Sequence, residues 1–299
     1  MNDWLRLPAF AKINLGLELL GRRSDGYWEI ATFYQTVGLC DRLRLRLRRA
    51  ADIRLRVEPA ALPADSRNLV WRALALARRR FGIRQGVEVE LKKNIPVARG
   101  LGGGSSDAAA ALIGLLRLVR RQVELTELAR LGARLGADAP FFFLGGRALG
   151  VGRGDEVYAL DDLPKTYCLL VCPAQAIPTR RAYAWVPSVS GLTLRRRASI
   201  LCGSSRMPGC PWGMGNDFEA VVFPRFPELA RIKRQLAAGG AQVTALSGSG
   251  STVFGLFRQR AAVLQARRRC PAGATVLLTE TLSRARYARA LGFWGVVQW

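Results

Sequence analysis

Residues 96–112 read PVARGLGGGSSDAAAAL, placing four glycines, two serines and an alanine run together without a lysine, in a chain otherwise crowded with arginine. Upstream, VEVELKKNIPV alternates as a strand does; downstream, DAAAALIGLLRLVRR puts Ala and Leu on one buried helical stripe. The glycines therefore enter a helix, with Ser105, Ser106 and Asp107 as expected N-caps. Glycines let backbone N–H groups converge and let an anion come close, and a helix start adds unpaired donors and roughly half a positive charge. That combination is a phosphate cradle. The stretch lacks the GK[ST] ending of a Walker A loop and does not follow the GxGxxG spacing of a dinucleotide fold. The competing reading is a turn that merely joins strand to helix, but three consecutive glycines lose much entropy on ordering unless something must sit against them.

The remaining composition narrows what such a cradle could serve. A length of 299 residues, 49% of them hydrophobic, allows one large domain or two moderate ones. There is no histidine, which removes Ser-His-Asp triads, Cys-His dyads and HExxH zinc sites. Chemistry must run on carboxylate, lysine, arginine, hydroxyl or backbone groups. Six cysteines form neither a CxxC pair nor a tight framework and read as reduced thiols. The net charge of +24 favours anionic partners, or reflects an arginine- and alanine-rich coding vocabulary. RLRLRLRR at 42–49 alternates as a half-buried strand with a solvated outer face. No apolar h-region opens the chain and no run of about 18 uncharged apolar residues occurs, so a cytoplasmic protein without membrane contact is expected.

Along the chain, AKINLGLEL, EIATFYQTVGL and RLRLRLR are expected strands, and NLVWRALALARRRFG a helix stopping at Gly82. Thr126 is the expected cap of TELARLGARLG, which ends at Gly136 and delivers Asp138 into ADAPFFFLGG, where Pro140 forbids further helix. Beyond residue 160 the order becomes αββαβ, suited to an antiparallel sheet backed by helices, so a boundary is placed there: 1–160 and 161–299. Residues 186–215 lack a period and are expected to form a long loop. Whether the aromatic tail LGFWGVVQW packs internally or on a partner is open.

AKINLGLELLGRRSDGY, PVARGLGGGSSDAAAAL, LGADAPFF, IPT at 177–179, GNDFE at 215–219 and SGSGSTVFGLF at 247–257 occur in this order. Together they resemble the GHMP kinases nearly end to end. The resemblance implies an α+β fold with a ribosomal protein S5 domain 2-like N-terminal domain that binds ATP and a ferredoxin-like C-terminal domain. AKINLGL combined with SDGY points, within that family, to an acceptor that is a cytidine-diphosphate-linked polyol; a homoserine or sugar kinase is the alternative. A basic nucleic-acid binder on the same scaffold is a third reading, disfavoured because it has no use for the cradle. Small-molecule substrates, no nucleic acid and a monomer or weak homodimer are expected.

A kinase must align a hydroxyl with the γ-phosphate, neutralise charge and give the hydroxyl proton a destination. Lys12 interrupts an apolar strand and is expensive to bury alone, so pairing with an acid is expected; solvated-strand and helix-end-turn roles are the bland readings of Lys12 and Asp138. By resemblance these two match the family's catalytic lysine and aspartate. The triphosphate would be met by Pro96, Val97, Ala98, Arg99, Gly100, Leu101, Gly102, Gly103, Gly104, Ser105 and Ser106. Arg99 touches phosphate or, slightly favoured, points to solvent. Mg2+ is implied by the reaction class, and no carboxylate pair marks metal ligands. For the acceptor, Tyr27 and Tyr183 would stack on cytosine, with Asn14 and Thr179 near the polyol and diphosphate. Trp28 stands where the family commonly has histidine, so a side-chain role there would be lost and a backbone one kept. The loop of Ser247, Gly248, Ser249 and Gly250 is either a tight hairpin or a part of the site facing substrate.

Overall fold

The computed structural model describes residues 4–187, 215–293 and 296–298. The long loop expected at 186–215 lies almost wholly outside them.

Two long strands, β1 (Leu5–Arg22) and β2 (Trp28–Arg48), form an antiparallel hairpin around the polar turn. β2 joins what the sequence suggested were two strands, because irregularities in the pairing at Phe10/Ala11 and Asn14/Gly16 let one ladder continue through Gly38. β3 (Ile53–Glu58) and β4 (Gly86–Lys92) run parallel, joined by α1 (Leu69–Phe81). β1 takes one edge of β2, and β4 shares the other edge with β6 (Arg147–Val151), which pairs with β7 (Glu156–Ala159). The alternation of 42–48 behaves as expected: Leu43 and Leu45 enter the core while Arg42 and Arg44 are exposed.

α2 (Gly103–Leu118) is the central helix, buried from Ser106 to Leu116. It lies close on the sheet at Gly114, where any side chain would meet Leu7 and Leu45. Its N-cap is Gly102, with no side-chain cap, so Ser105 and Ser106 sit inside the first turn rather than capping it. The glycines start the helix one turn earlier than the serines would. The short strand β5 (Val123–Glu124) leads into α3 (Leu125–Ala133), whose cap is Glu124 and not Thr126, because β5 is pinned by pairing with the chain's end. A 3-10 turn over Pro140–Phe143 follows.

The second layer holds β8 (Tyr167–Cys172), β9 (Val243–Leu246), β10 (Val253–Phe257) and β11 (Thr275–Glu280), all antiparallel in the order β11-β8-β10-β9. With α6 (Pro227–Ala238) and α7 (Arg260–Arg268) this is the ferredoxin-like β-α-β-β-α-β arrangement. Among the described residues, two short helices, α4 (Thr179–Ala184) and α5 (Glu219–Val222), lie between β8 and α6. α8 (Arg284–Leu291) and β12 (Val297–Gln298) then return to the first layer, where Tyr287, Leu291, Phe293 and Val296 join the core around α2. The described part of the aromatic tail therefore packs internally, with Leu291, Phe293 and Val296 in the core and β12 paired with β5. Residue 160 falls between the last strand of one sheet and the first of the other, while 284–298 crosses back.

Candidate active site

The site lies where β1, the glycine loop before α2 and the β9–β10 turn meet. Lys12, on β1, is 2% exposed. Its backbone N–H donates to Leu101 O at 3.0 Å, stitching the strand to the glycine loop. Its ammonium donates to Asn14 Oδ1 at 2.6 Å and stands 3.5 Å from Asp138 Oδ2. Asn14 passes the order on, donating to Thr32 Oγ1, which donates to Gly16 O, both at 2.7 Å. A buried lysine is thus held by a carboxylate, an amide and the face of Tyr34, 5.4 Å away, as its charge demands.

Asp138 arrives from the turn between α3 and the 3-10 segment with its side chain 34% exposed, so it is anchored on one side and open on the other. Tyr34 OH donates to its Oδ1 at 3.1 Å. Burial, reinforced by Asp138, pushes the Tyr34 phenol well above the ordinary tyrosine range, so it remains a proton donor.

The glycine loop needs its glycines for space and for dihedrals. Gly100 and Gly102 have φ of 78° and 69°, and a Cβ on Gly100 would stand 2.0 Å from Ser247 O. Ser247 Oγ donates to Gly100 O at 2.9 Å and Thr252 N–H donates to Arg99 O at 3.3 Å, lacing the two glycine loops together. Arg99 does not point to solvent: it donates to Ser251 Oγ at 3.1 Å and to Ala174 O, reaching across to the second layer. Asn216, of the GNDFE segment, donates to Leu246 O and Gly248 O and so shapes the second loop. Beneath Gly103, Lys93 bridges Asp41 and Asp107; the second contact is 2.6 Å, and Asp41 Oδ1 accepts from Ile95 N–H at 2.8 Å. Burial raises the Asp107 carboxyl well above its ordinary value, opposed by Lys93. This cluster anchors the loop's lower side.

A cavity of about 870 Å3 gathers Lys12, Asn14, Gly100, Ser105 and Asp138 with Tyr27, Trp28, Thr179, Tyr183, Gly248 and Ser249. The other expected residues do not line it. Gly102, Gly103 and Gly104 open α2, Pro96, Val97 and Ala98 form the loop's outer arm, and Leu101 packs into core. Ser247 and Gly250 form the turn behind Gly248, while the Ser106 hydroxyl is buried without a partner. Tyr27 is 59% exposed at the rim, with the Arg153 guanidinium 5.2 Å above its ring. Trp28, 6% exposed, stacks on Tyr183 at 6.4 Å, and Tyr183 meets Phe218 edge-on at 4.8 Å. Trp28 therefore serves as a wall.

Sequence reasoning missed Tyr34, which looked like strand filling, and the cavity arginines Arg22, Arg153 and Arg180. Among 46 lysines and arginines no pattern marked those three.

The description "GHMP kinases N terminal domain" matches residues 68–146, and "GHMP kinases C terminal" matches 207–274. A relative from Moorella thermoacetica, named 4-diphosphocytidyl-2-C-methyl-D-erythritol kinase, is 42% identical over 259 residues, 85% of this chain and 90% of that one. This chain belongs to the GHMP kinases. A relative of the same name from Solibacter usitatus is 41% identical, covering 87% of this GHMP kinase and 83% of its own length. A crystal structure of 4-(cytidine 5'-diphospho)-2C-methyl-D-erythritol kinase superposes with TM-score 0.76 at 31% identity, covering 93% and 99% of the two chains. Homoserine kinase from Cytophaga hutchinsonii, TM-score 0.71 at 18% identity, shares the fold. The two-layer architecture around one cleft is thus the GHMP kinase fold, and the chain is a phosphotransferase with an alcohol acceptor.

Proposed function

We propose that this enzyme transfers the γ-phosphoryl group of ATP to the 2-hydroxyl of 4-diphosphocytidyl-2-C-methyl-D-erythritol, releasing ADP, in the non-mevalonate route to isoprenoid precursors. The observation that carries the reading is the Lys12–Asp138 pair at 3.5 Å, in one cavity with the uncapped glycine loop and a pair of tyrosines suited to a nucleobase. ATP is held at the start of α2, where the first-turn N–H groups have no side-chain cap. The acceptor's base lies by Tyr27 and Tyr183 and its diphosphate by the cavity arginines. The acceptor oxygen attacks the γ-phosphorus, its proton passes to Asp138, and the bond to ADP breaks. Lys12 sets its ammonium beside the carboxylate, where it also meets charge on the moving phosphoryl group.

No group of three or more His, Cys, Asp or Glu is placed to hold a metal among the described residues. Among the oxygen donors facing the cavity, the Ser105 hydroxyl at the start of α2 fits Mg2+, which is commonly held by one or two protein oxygens together with waters and substrate phosphates. Bound there it would neutralise charge on the β- and γ-phosphates. A cytoplasmic enzyme acting on free small molecules, as a monomer or weak homodimer, accords with this chemistry. No helix among the described residues is long and apolar enough to cross a membrane.

The test is phosphorus NMR of the purified protein with ATP, Mg2+ and, separately, the cytidyl polyol, homoserine, mevalonate and galactose. Turnover of the cytidyl polyol alone is expected. Turnover of another acceptor without it would overturn the reading.

A further inference from the structure

Tyr34 stands out among the groups that the mechanism leaves unused. It is 1% exposed, yet its hydroxyl borders the cavity. Its ring is clamped by Phe141, 4.8 Å away, and by the β6–β7 hairpin, where Gly150 and Gly154 leave room that any Cβ would take from it. The hydroxyl lies 3.1 Å from Asp138 Oδ1 and 3.2 Å from Gly154 O. It has one proton and two acceptors, so it serves one at a time. Lys12 approaches the other carboxylate oxygen, Oδ2.

We propose that Tyr34 is a positioning residue for the transfer step: its hydroxyl holds Asp138 Oδ1 while Lys12 holds Oδ2, aiming the free side of the carboxylate at the acceptor hydroxyl. This rests on Asp138 being the base. Without the phenol the carboxylate keeps one anchor and rotates about its terminal torsion, a broad one that packing alone does not set. As the acceptor proton arrives on Asp138 and its charge is lost, the phenol turns to Gly154 O, keeping its own proton. No buried donor is stranded at either stage. Burial keeps the phenol protonated throughout.

The experiment compares the parent, Tyr34→Phe, Asp138→Asn and the double variant in steady-state and single-turnover assays. Tyr34→Phe should lower kcat about 10- to 100-fold, the scale of a hydrogen bond to a charged group, with both KM values within about 2-fold. On the Asp138→Asn background it should add less than about 2-fold, because a residue acting through the carboxylate has nothing left to position. An unchanged kcat, a loss confined to KM, or an equal loss on both backgrounds would overturn the assignment. Full activity of Asp138→Asn would instead remove Asp138 as base, a separate failure. Should Tyr34→Phe not fold, as read by near-ultraviolet dichroism, 4-aminophenylalanine at the position keeps ring and donor. It should retain kcat within about 5-fold, and a loss as deep as that of Asp138→Asn would sink the proposal.

Discussion

Gly100→Ala tests whether the two glycine loops depend on close approach. Two effects add at this position. An alanine at φ 78° carries a left-handed strain of about 1–2 kcal/mol. Its Cβ would also lie 2.0 Å from Ser247 O, so the loops must part by more than about 1 Å. That movement breaks the hydrogen bond from Ser247 Oγ to Gly100 O and strains the one from Thr252 N–H to Arg99 O, each worth about 1 kcal/mol. The sum is about 3–4 kcal/mol, and Gly248 is drawn away from Lys12. Gly26→Ala is the internal control: φ there is 82°, but nothing lies within 4 Å of the new atom, so only the strain of about 1–2 kcal/mol remains. Urea unfolding of the two variants at neutral pH, with kcat measured beside it, separates the effects. Should Gly100→Ala match Gly26→Ala within about 0.5 kcal/mol and keep its turnover, the laced-loop argument is wrong.

Gly103→Val should weaken ATP binding at least about 10-fold in a titration, because the side chain meets Ile95 and Lys93 below and closes the backbone to phosphate above; unchanged affinity would remove the cradle. Arg153→Ala should raise KM for the acceptor about 10-fold and leave that for ATP alone, since the guanidinium lies over Tyr27 at the far end of the cavity. Glu88 is 2% exposed and held below the ordinary glutamate value by its hydrogen bonds from Arg46, with burial opposing. Its stabilising contribution is therefore present above pH 4.5 and lost as pH falls through the lower folded value. Glu88→Gln should lower stability at pH 7 by about 1–3 kcal/mol and flatten the fall between about pH 5 and 3; equal slopes would show that the pair is not linked to folding.

Periodicity and glycine placement located most elements, since RLRLRLR must turn its leucines inward and DAAAALIGLLRL must bury its small face. The N-caps of α2 and α3 were misjudged because a cap depends on where the preceding chain is tied: Leu101 to Lys12 in one case, β5 to β12 in the other. The tail was undecidable because nothing local reveals that Val297 pairs with Val123, far back in the chain. Arg99 was misread for a similar reason, its partners lying at Ala174 and Ser251.

The string of residues by itself determined the glycine loop that opens α2, the lysine that needed a partner and the acid that could provide it, because glycine runs and buried charge are local statements about entropy and solvation. Tertiary structure alone decided which groups share the cavity. Tyr34 reaches Asp138 across 104 positions of chain, and Ser247 meets Gly100 across 147. The first contact comes from how the turn after α3 packs on β2 and the second from how the two layers meet, and no short pattern of residues encodes either.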